Sequence, residues 1–222
     1  MRLILASASP RRAELLRAAG YDFEIVAASI DESIRDGEPP AIYVRRLAAE
    51  KSAAVMARIA TGPAEAGRDR DHGPANAGHY GNTDAIVLGA DTTVVVDGEM
   101  LGKPGDDGAS ARMLARLSGR EHQVLTGISL RRGAFEIGRV EATSVAFAPL
   151  TDEEIAWYVA TGEGRDKAGA YAIQGFASRF IPRIEGSYSN VVGLPVACVR
   201  ELLTEISGTR PGRSSAHRSA GG

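Results

Sequence analysis

Near the start of the chain, Ser7-Ala8-Ser9-Pro10-Arg11-Arg12 brings hydroxyl donors, small residues and two guanidinium groups together between an apolar run and a helix-compatible one. A strand, a tight turn and a helix N-terminus in that order make an anion site. The first backbone N–H groups of a helix have no intrahelical acceptor, and the helix dipole puts partial positive charge there. Ser7 and Ser9 add donors, while Arg11 and Arg12 can each hold two phosphate oxygens at once. The spacing is not that of a Walker loop. The same six residues also fit a capped helix with two solvated arginines, and taken alone they do not decide between the two.

Asp91 closes a near-continuous apolar run, Ala85 to Ala90, and is followed by Thr92-Thr93 and three valines instead of a Gly/Pro turn. A carboxylate at the end of a buried strand is costly unless paired, hydrated or metal-bound, so Asp91 is a candidate to hold Mg²⁺ or to activate water. Asp31 and Glu32 become relevant only if Asp91 faces them, since several carboxylates with a triphosphate make a Mg²⁺ site. Lys51 lies on the apolar stripe of a helix, where snorkelling past the core edge is the ordinary outcome. Lys103, in Leu101-Gly102-Lys103-Pro104, reads by itself as a solvated loop lysine. In Asp166-Lys167-Ala168-Gly169-Ala170-Tyr171-Ala172-Ile173-Gln174-Gly175, Gln174 offers an amide donor and acceptor suited to a base edge. The plain alternative is a Gly-rich connection with Tyr171 on the surface. His122 and Cys198 read as structural.

The elements that must position these residues are legible from periodicity and turn chemistry. Leu3 to Ala6 is a strand, and Ser9 N-caps a helix that starts at Pro10, buries Leu15, Leu16 and Ala19, and stops at Gly20. Phe23 to Ala27 is a second strand. A helix over 41–59 buries Val44, Leu47, Ala48, Ala54 and Val55. Residues 61–84 lack large apolar side chains and read as a flexible insertion, in which His72 and His79 are poor metal ligands. Asp97-Gly98 marks a tight hairpin, 106–118 a helix, and 122–130 with 135–148 an antiparallel pair. Thr151 to Glu154 is a capping box. Phe180 to Ile184 reads as a strand and 191–206 as a final helix. Residues 208–222 read as a disordered tail. The alternation of elements predicts an α/β fold with a mixed sheet in one domain spanning 1–207.

Composition narrows the function classes. With 26 Lys+Arg against 28 Asp+Glu the net charge is −2, and aromatics are 5%, which argues against a nucleic-acid binder. One cysteine allows no internal disulfide and suits a reducing compartment, and no stretch approaches a membrane span, so a cytoplasmic protein with no membrane partner is expected.

Together, Leu5 to Arg12, Gly89-Ala90-Asp91-Thr92, Gly102-Lys103-Pro104, Asp166 to Gly175 and Gly186 to Pro195 resemble the Maf family of nucleotide pyrophosphatases, in the family's order and over nearly the whole chain. The resemblance implies hydrolysis of a nucleoside triphosphate between its α- and β-phosphates. It also implies a divalent metal, Mg²⁺ or Mn²⁺, at Asp91 and Glu32. The implied fold is a mixed central sheet flanked by helices, with two lobes around a cleft, akin to inosine-triphosphate pyrophosphatases, and often assembled as a homodimer. By the same resemblance Asp91 accepts the proton of water, Glu32, Lys51 and Lys103 line the phosphate and metal site, and Arg11, Thr92 and Gln174 bear on substrate choice. Ser-Pro-Arg-Arg with Tyr-x-Ile-Gln-Gly resembles the branch acting on dTTP and UTP, and modified pyrimidine nucleotides are compatible with it. A nucleotide-sensing or division-regulating binder using the same cradle is the alternative.

Overall fold

The computed structural model describes residues 2–61 and 85–208. Apart from Thr61 and Gly208, the stretches read as an insertion and a tail lie outside the described residues.

Strand β1 (Arg2–Leu5) is apolar on both faces and lies between β2 (Glu24–Ile25) and β3 (Ala85–Val96), pairing in parallel with each. The chain then turns into α1 (Pro10–Ala18), which starts at Pro10 as expected. Ser9 occupies the N-cap position, but its hydroxyl does not cap; its N–H instead donates to Ser7 Oγ at 3.2 Å. The buried face of α1 is Arg12, Ala13 and Leu16, with Ala19 exposed, so the helix is rotated from the expected Leu15-Leu16-Ala19 face. Helix α2 (Pro40–Ala60) crosses the sheet. After β3 come β4 (Glu99–Leu101), α3 (Asp107–Leu117), β5 (Glu121–Arg132), β6 (Phe135–Ala146) and α4 (Asp152–Ala160). Two 3₁₀ turns, Ala168–Ala170 and Phe176–Phe180, lead to β7 (Arg183–Glu185), α5 (Tyr188–Val192) and α6 (Val196–Gly208).

The sheet runs β2-β1-β3-β5-β6-β7, with β4 hairpinned onto the end of β3 through Asp97-Gly98. Both turn residues have positive φ (52° and 80°), the conformation that matches a two-residue hairpin to strand twist. The pairs beyond β1 are antiparallel, so the sheet is mixed, with helices on both faces. Helix α2 packs directly on glycines. A Cβ at Gly89 would lie 2.1 Å from the Ala48 carbonyl oxygen, and one at Gly127 would lie 2.2 Å from that of Val44.

Beneath α2 a small core joins Ile4, Val55, Ala85 and Val87, and the long strands β3, β5 and β6 also pass through two larger ones. One joins β1 and the first halves of β3 and β6 to α1 and α6, through Leu5, Leu16, Leu88, Ile128, Leu202 and Ile206. The other joins the far end of β3 to α3, α4 and the 3₁₀ turns, through Val94, Leu114, Phe147, Tyr158, Tyr171 and Phe180. Between them β3 loses a neighbour. Its pairing with β1 ends at Leu5↔Leu88, extended by Ala6 N–H to Leu88 O, and its pairing with β4 begins only at Val94↔Leu101. From Gly89 to Thr93 it pairs only with β5 among the described residues, and the two lobes face each other across that gap.

Three further expectations are corrected. Asp91 does not end its strand but sits in the middle of a 12-residue β3; what ends there is the neighbour, β1. The strand expected at 180–184 is a 3₁₀ turn closing at Phe180, followed by a short β7. The single helix expected at 191–206 is broken, because Gly193 takes φ +126° and Pro195 cannot continue the α5 hydrogen-bond ladder.

Candidate active site

The gap beside β3 opens onto a cavity of about 550 Å³. Ser7, Ser9, Arg11, Arg12, Glu32, Lys51, Asp91, Thr92, Lys103 and Gln174 all line it, although they come from six separate parts of the chain. Asp31 is not among them; its carboxylate accepts from the Ser33 N–H and hydroxyl and stays exposed.

Alternation along β3 sends successive side chains to opposite faces of the sheet. Asp91 faces α2, where Lys51 Nζ donates to its Oδ1 at 2.6 Å. The same Nζ lies 2.7 Å from Glu32 Oε1, so one ammonium bridges two carboxylates. The lysine does not snorkel as its place on the apolar stripe suggested; its side chain is 10% exposed and ends on charged partners. Helix α2 also fixes the loop that delivers Glu32. Tyr43 donates to the Glu32 carbonyl at 3.0 Å, and Arg46 holds both Glu38 and the Ser33 carbonyl.

Thr92 faces the opposite side, where Arg12 is waiting. The Arg12 guanidinium donates to Gly193 O (2.9 Å), Ser7 Oγ (3.1 Å) and Thr92 Oγ1 (3.1 Å). It is buried, contrary to the solvated alternative. Its first task is therefore to tie α1, β3 and the α5–α6 turn together at the cavity wall, with two of its five N–H groups left over. Arg11 is less committed, its nearest acid being Asp166 Oδ2 at 3.8 Å. Lys103 is exposed on a loop tethered by Gly169 N–H to Gly102 O. Gln174 is exposed at the cavity rim. Tyr171 is not a surface residue: it is buried against Phe147, and its hydroxyl meets His122 Nε2 at 2.8 Å. His122 is structural, as expected, and Cys198 is core.

The electrostatics follow from this placement. Burial pushes Glu32 upward, but its bond to Lys51 and the charges of Lys51, Lys103 and Arg12 outweigh that, holding it below the usual carboxylate range. Burial, then the charges of Asp91 and Glu32, push the Tyr43 hydroxyl up to about 12, so it is a donor. Burial draws Arg12 down from its ordinary value, and Asp91 opposes the shift.

Sequence reasoning missed Tyr43. The available signal was its place two helical turns before Lys51, on the stripe Tyr43, Leu47, Lys51. It also assigned no role to Asp166 or Lys167, which line the same cavity. No group of three or more His, Cys, Asp or Glu that could hold a metal occurs among the described residues. Asp91 and Glu32 place two carboxylates on one side of the cavity, joined through the Lys51 ammonium; Mg²⁺ commonly takes one or two carboxylates and fills its shell with water and phosphate oxygens.

The cavity of this mixed-sheet α/β protein sets a carboxylate–lysine–carboxylate line against a serine- and arginine-lined helix start, an arrangement suited to an anionic ligand. The family model of the Maf-like proteins matches residues 2–206, and the chain belongs to that family. Among its relatives is the "dTTP/UTP pyrophosphatase" of Symbiobacterium thermophilum, 49% identical over 92% of this chain and 93% of the relative. The Geobacter sulfurreducens protein of the same name is 45% identical over 92% of this chain and 96% of its own length. Among solved structures, the Staphylococcus aureus Ham1 protein overlaps at a TM-score of only 0.37 and 13% identity, covering 68% of this chain and 73% of that one. No helix among the described residues is long and apolar enough to cross a membrane.

Proposed function

We propose that this chain hydrolyses nucleoside triphosphates between the α- and β-phosphates, with dTTP and UTP as its substrates. The observation that carries the reading is the Glu32–Lys51–Asp91 line facing the Ser7–Arg12 wall in one cavity. The name shared by relatives at 45–49% identity points the same way.

In this reading the triphosphate lies along the gap beside β3. The α1 N-terminus, Ser7, Ser9 and Arg11 hold phosphate oxygens, and Lys51 and Lys103 neutralise charge that grows on the leaving group. Asp91 orients a water and takes its proton as the oxygen bonds to phosphorus; the anhydride bond breaks and its electron pair leaves with pyrophosphate. Mg²⁺ or Mn²⁺ held by Asp91 and Glu32 would supply further charge neutralisation when bound. Thr92 and Gln174 bear on substrate choice. A cytoplasmic homodimer completes the reading.

The test is pyrophosphate release from a panel of canonical and modified triphosphates, with and without Mg²⁺ or Mn²⁺. Release from dTTP and UTP that EDTA abolishes is expected, and Asp91→Asn is expected to lower kcat by at least about a hundredfold with melting temperature kept. If no triphosphate yields product, the reading fails, and tight binding without turnover would make the chain a nucleotide sensor.

A further inference from the structure

The segment that carries Gln174 has little regular structure of its own. Gln174 lies between Tyr171 and the 3₁₀ turn that starts at Phe176, and it stands exposed at the cavity rim. An exposed side chain on such a segment reads a ligand edge only if its backbone is held from elsewhere.

Two residues outside the motifs supply that hold. The Tyr158 hydroxyl, on α4, accepts the Ala172 N–H at 3.0 Å and donates to Glu163 Oε2 at 2.7 Å. Burial first, then its bond to Glu163, raises the Tyr158 hydroxyl well above the ordinary phenol, which keeps it a donor. The Glu163 carboxylate in turn accepts the Phe176 N–H on Oε1 at 2.9 Å and the Ala177 N–H on Oε2 at 3.4 Å. Backbone groups on both sides of Gln174 are thus pinned to one tyrosine–glutamate pair. Gly175 lets the segment come this close, since a Cβ there would lie 1.7 Å from Glu163 Oε1. Glu163 is itself seated, its N–H on Thr161 Oγ1 and its carbonyl accepting from Lys167 Nζ at 2.7 Å.

We infer that Tyr158 and Glu163 are positioning residues for base recognition: neither touches the phosphates, and together they hold the Gln174 segment in the shape that meets the nucleobase. The inference rests on the proposed triphosphate substrate and adds how that substrate's base is selected. A purely structural role would loosen the whole cavity. A positioning role divides base from phosphate, because the Ser7–Arg12 wall and Lys51 lie on other elements.

The experiment compares Tyr158→Phe, Glu163→Gln and Gly175→Ala with the parent protein. Tyr158→Phe keeps the ring and removes both hydrogen bonds. Glu163→Gln leaves at least one of the two sides it serves without a proper partner. Gly175→Ala drives a methyl into the intact carboxylate. Three quantities are read: kcat and KM for dTTP, UTP and dGTP; the Ki of inorganic tripolyphosphate as competitor; and amide hydrogen exchange over 172–177. The expected result is a loss of about tenfold in kcat/KM for dTTP and UTP, carried by KM. Selectivity over dGTP narrows, exchange speeds up within 172–177, and the tripolyphosphate Ki stays within about twofold. Unchanged selectivity in variants with faster exchange overturns the inference, as does a tripolyphosphate Ki that weakens in step with KM. Unchanged exchange in all three overturns the clamp itself. A parent protein that turns over no triphosphate sinks the proposed function instead, and the exchange measurement still judges the clamp. If Glu163→Gln does not fold, Tyr158→Phe and Gly175→Ala decide.

Discussion

Replacing Gly89 by alanine tests whether the α2–sheet contact sets the geometry of the site. The new Cβ would lie 2.1 Å from Ala48 O, 2.9 Å from Ser52 N and 3.1 Å from Ser52 Cβ. The first two atoms belong to the α2 backbone, so no side-chain rotation relieves the clash. The helix must retreat by roughly 1 Å, an overpacking cost of about 3 kcal/mol. For a domain of this size that lowers Tm by roughly 6–12 °C. Lys51 lies on α2 between the two clashing residues, so its 2.6 Å bond to Asp91 stretches with the helix. A displacement of about 1 Å in a reacting constellation costs on the order of a hundredfold in rate. The assay pairs thermal unfolding with pyrophosphate release from dTTP. Gly208→Ala, where nothing lies within 4 Å, is the control. A Gly89→Ala protein with Tm within about 2 °C of the parent would refute the steric argument. A large Tm loss with unchanged kcat would refute the link from helix position to Lys51.

Three further outcomes are expected. Lys51→Met leaves Asp91 and Glu32 facing each other without their shared cation; kcat falls by on the order of a hundredfold, and a fall of less than about threefold in the pyrophosphate assay would remove the lysine from the mechanism. Arg12→Lys replaces a fork whose three nitrogens each reach a different acceptor with a single nitrogen, so Tm falls by an amount worth about 2 kcal/mol and KM rises; an unchanged melting curve would contradict the tie described for Arg12. Burial lowers the His122 pKa from 6.5 to about 4, so the unfolded chain takes up a proton that the folded one resists. Stability from this residue is complete above pH 6.5 and is lost as pH falls toward 4, by roughly 3 kcal/mol. Unfolding measured across that window in the parent and in His122→Gln checks this, and equal slopes would refute it.

The local signals in the sequence translated well where one element sufficed. Pro10, the Asp97-Gly98 hairpin, the Thr151–Glu154 capping box and the two long antiparallel strands fall where their turn and cap chemistry put them. What local reading missed depends on neighbours. The sequence around Asp91 looks like a strand end because polarity changes there, yet the discontinuity belongs to β1, 80-odd positions away in the chain. Lys51 looked like a snorkelling residue because its two carboxylate partners come from distant segments. The break at Gly193-Leu194-Pro195 was marked by a glycine and a proline, but the apolar spacing of the flanking helices ran through it unbroken. Glu163 carries no pattern at all, since its partners are main-chain N–H groups that any sequence supplies.

The route from α2 to β3 has a practical consequence. The chain leaves α2 at Thr61 and re-enters the sheet at Ala85, which pairs with Arg2 at the amino ends of two parallel strands. The cavity lies beyond the carboxyl end of β1, so Asp91 is roughly 20 Å along β3 from the re-entry point. Cutting the polypeptide in that connection would divide the constellation cleanly. One fragment would carry Ser7, Ser9, Arg11, Arg12, Glu32 and Lys51, and the other Asp91, Thr92, Lys103 and Gln174. The Lys51–Glu32 pair would stay in one half and Asp91 would go to the other, so neither half would own the whole carboxylate–lysine–carboxylate line. Fused to two candidate interacting proteins, the halves would form a split reporter in which pyrophosphate appears only when the fused proteins meet.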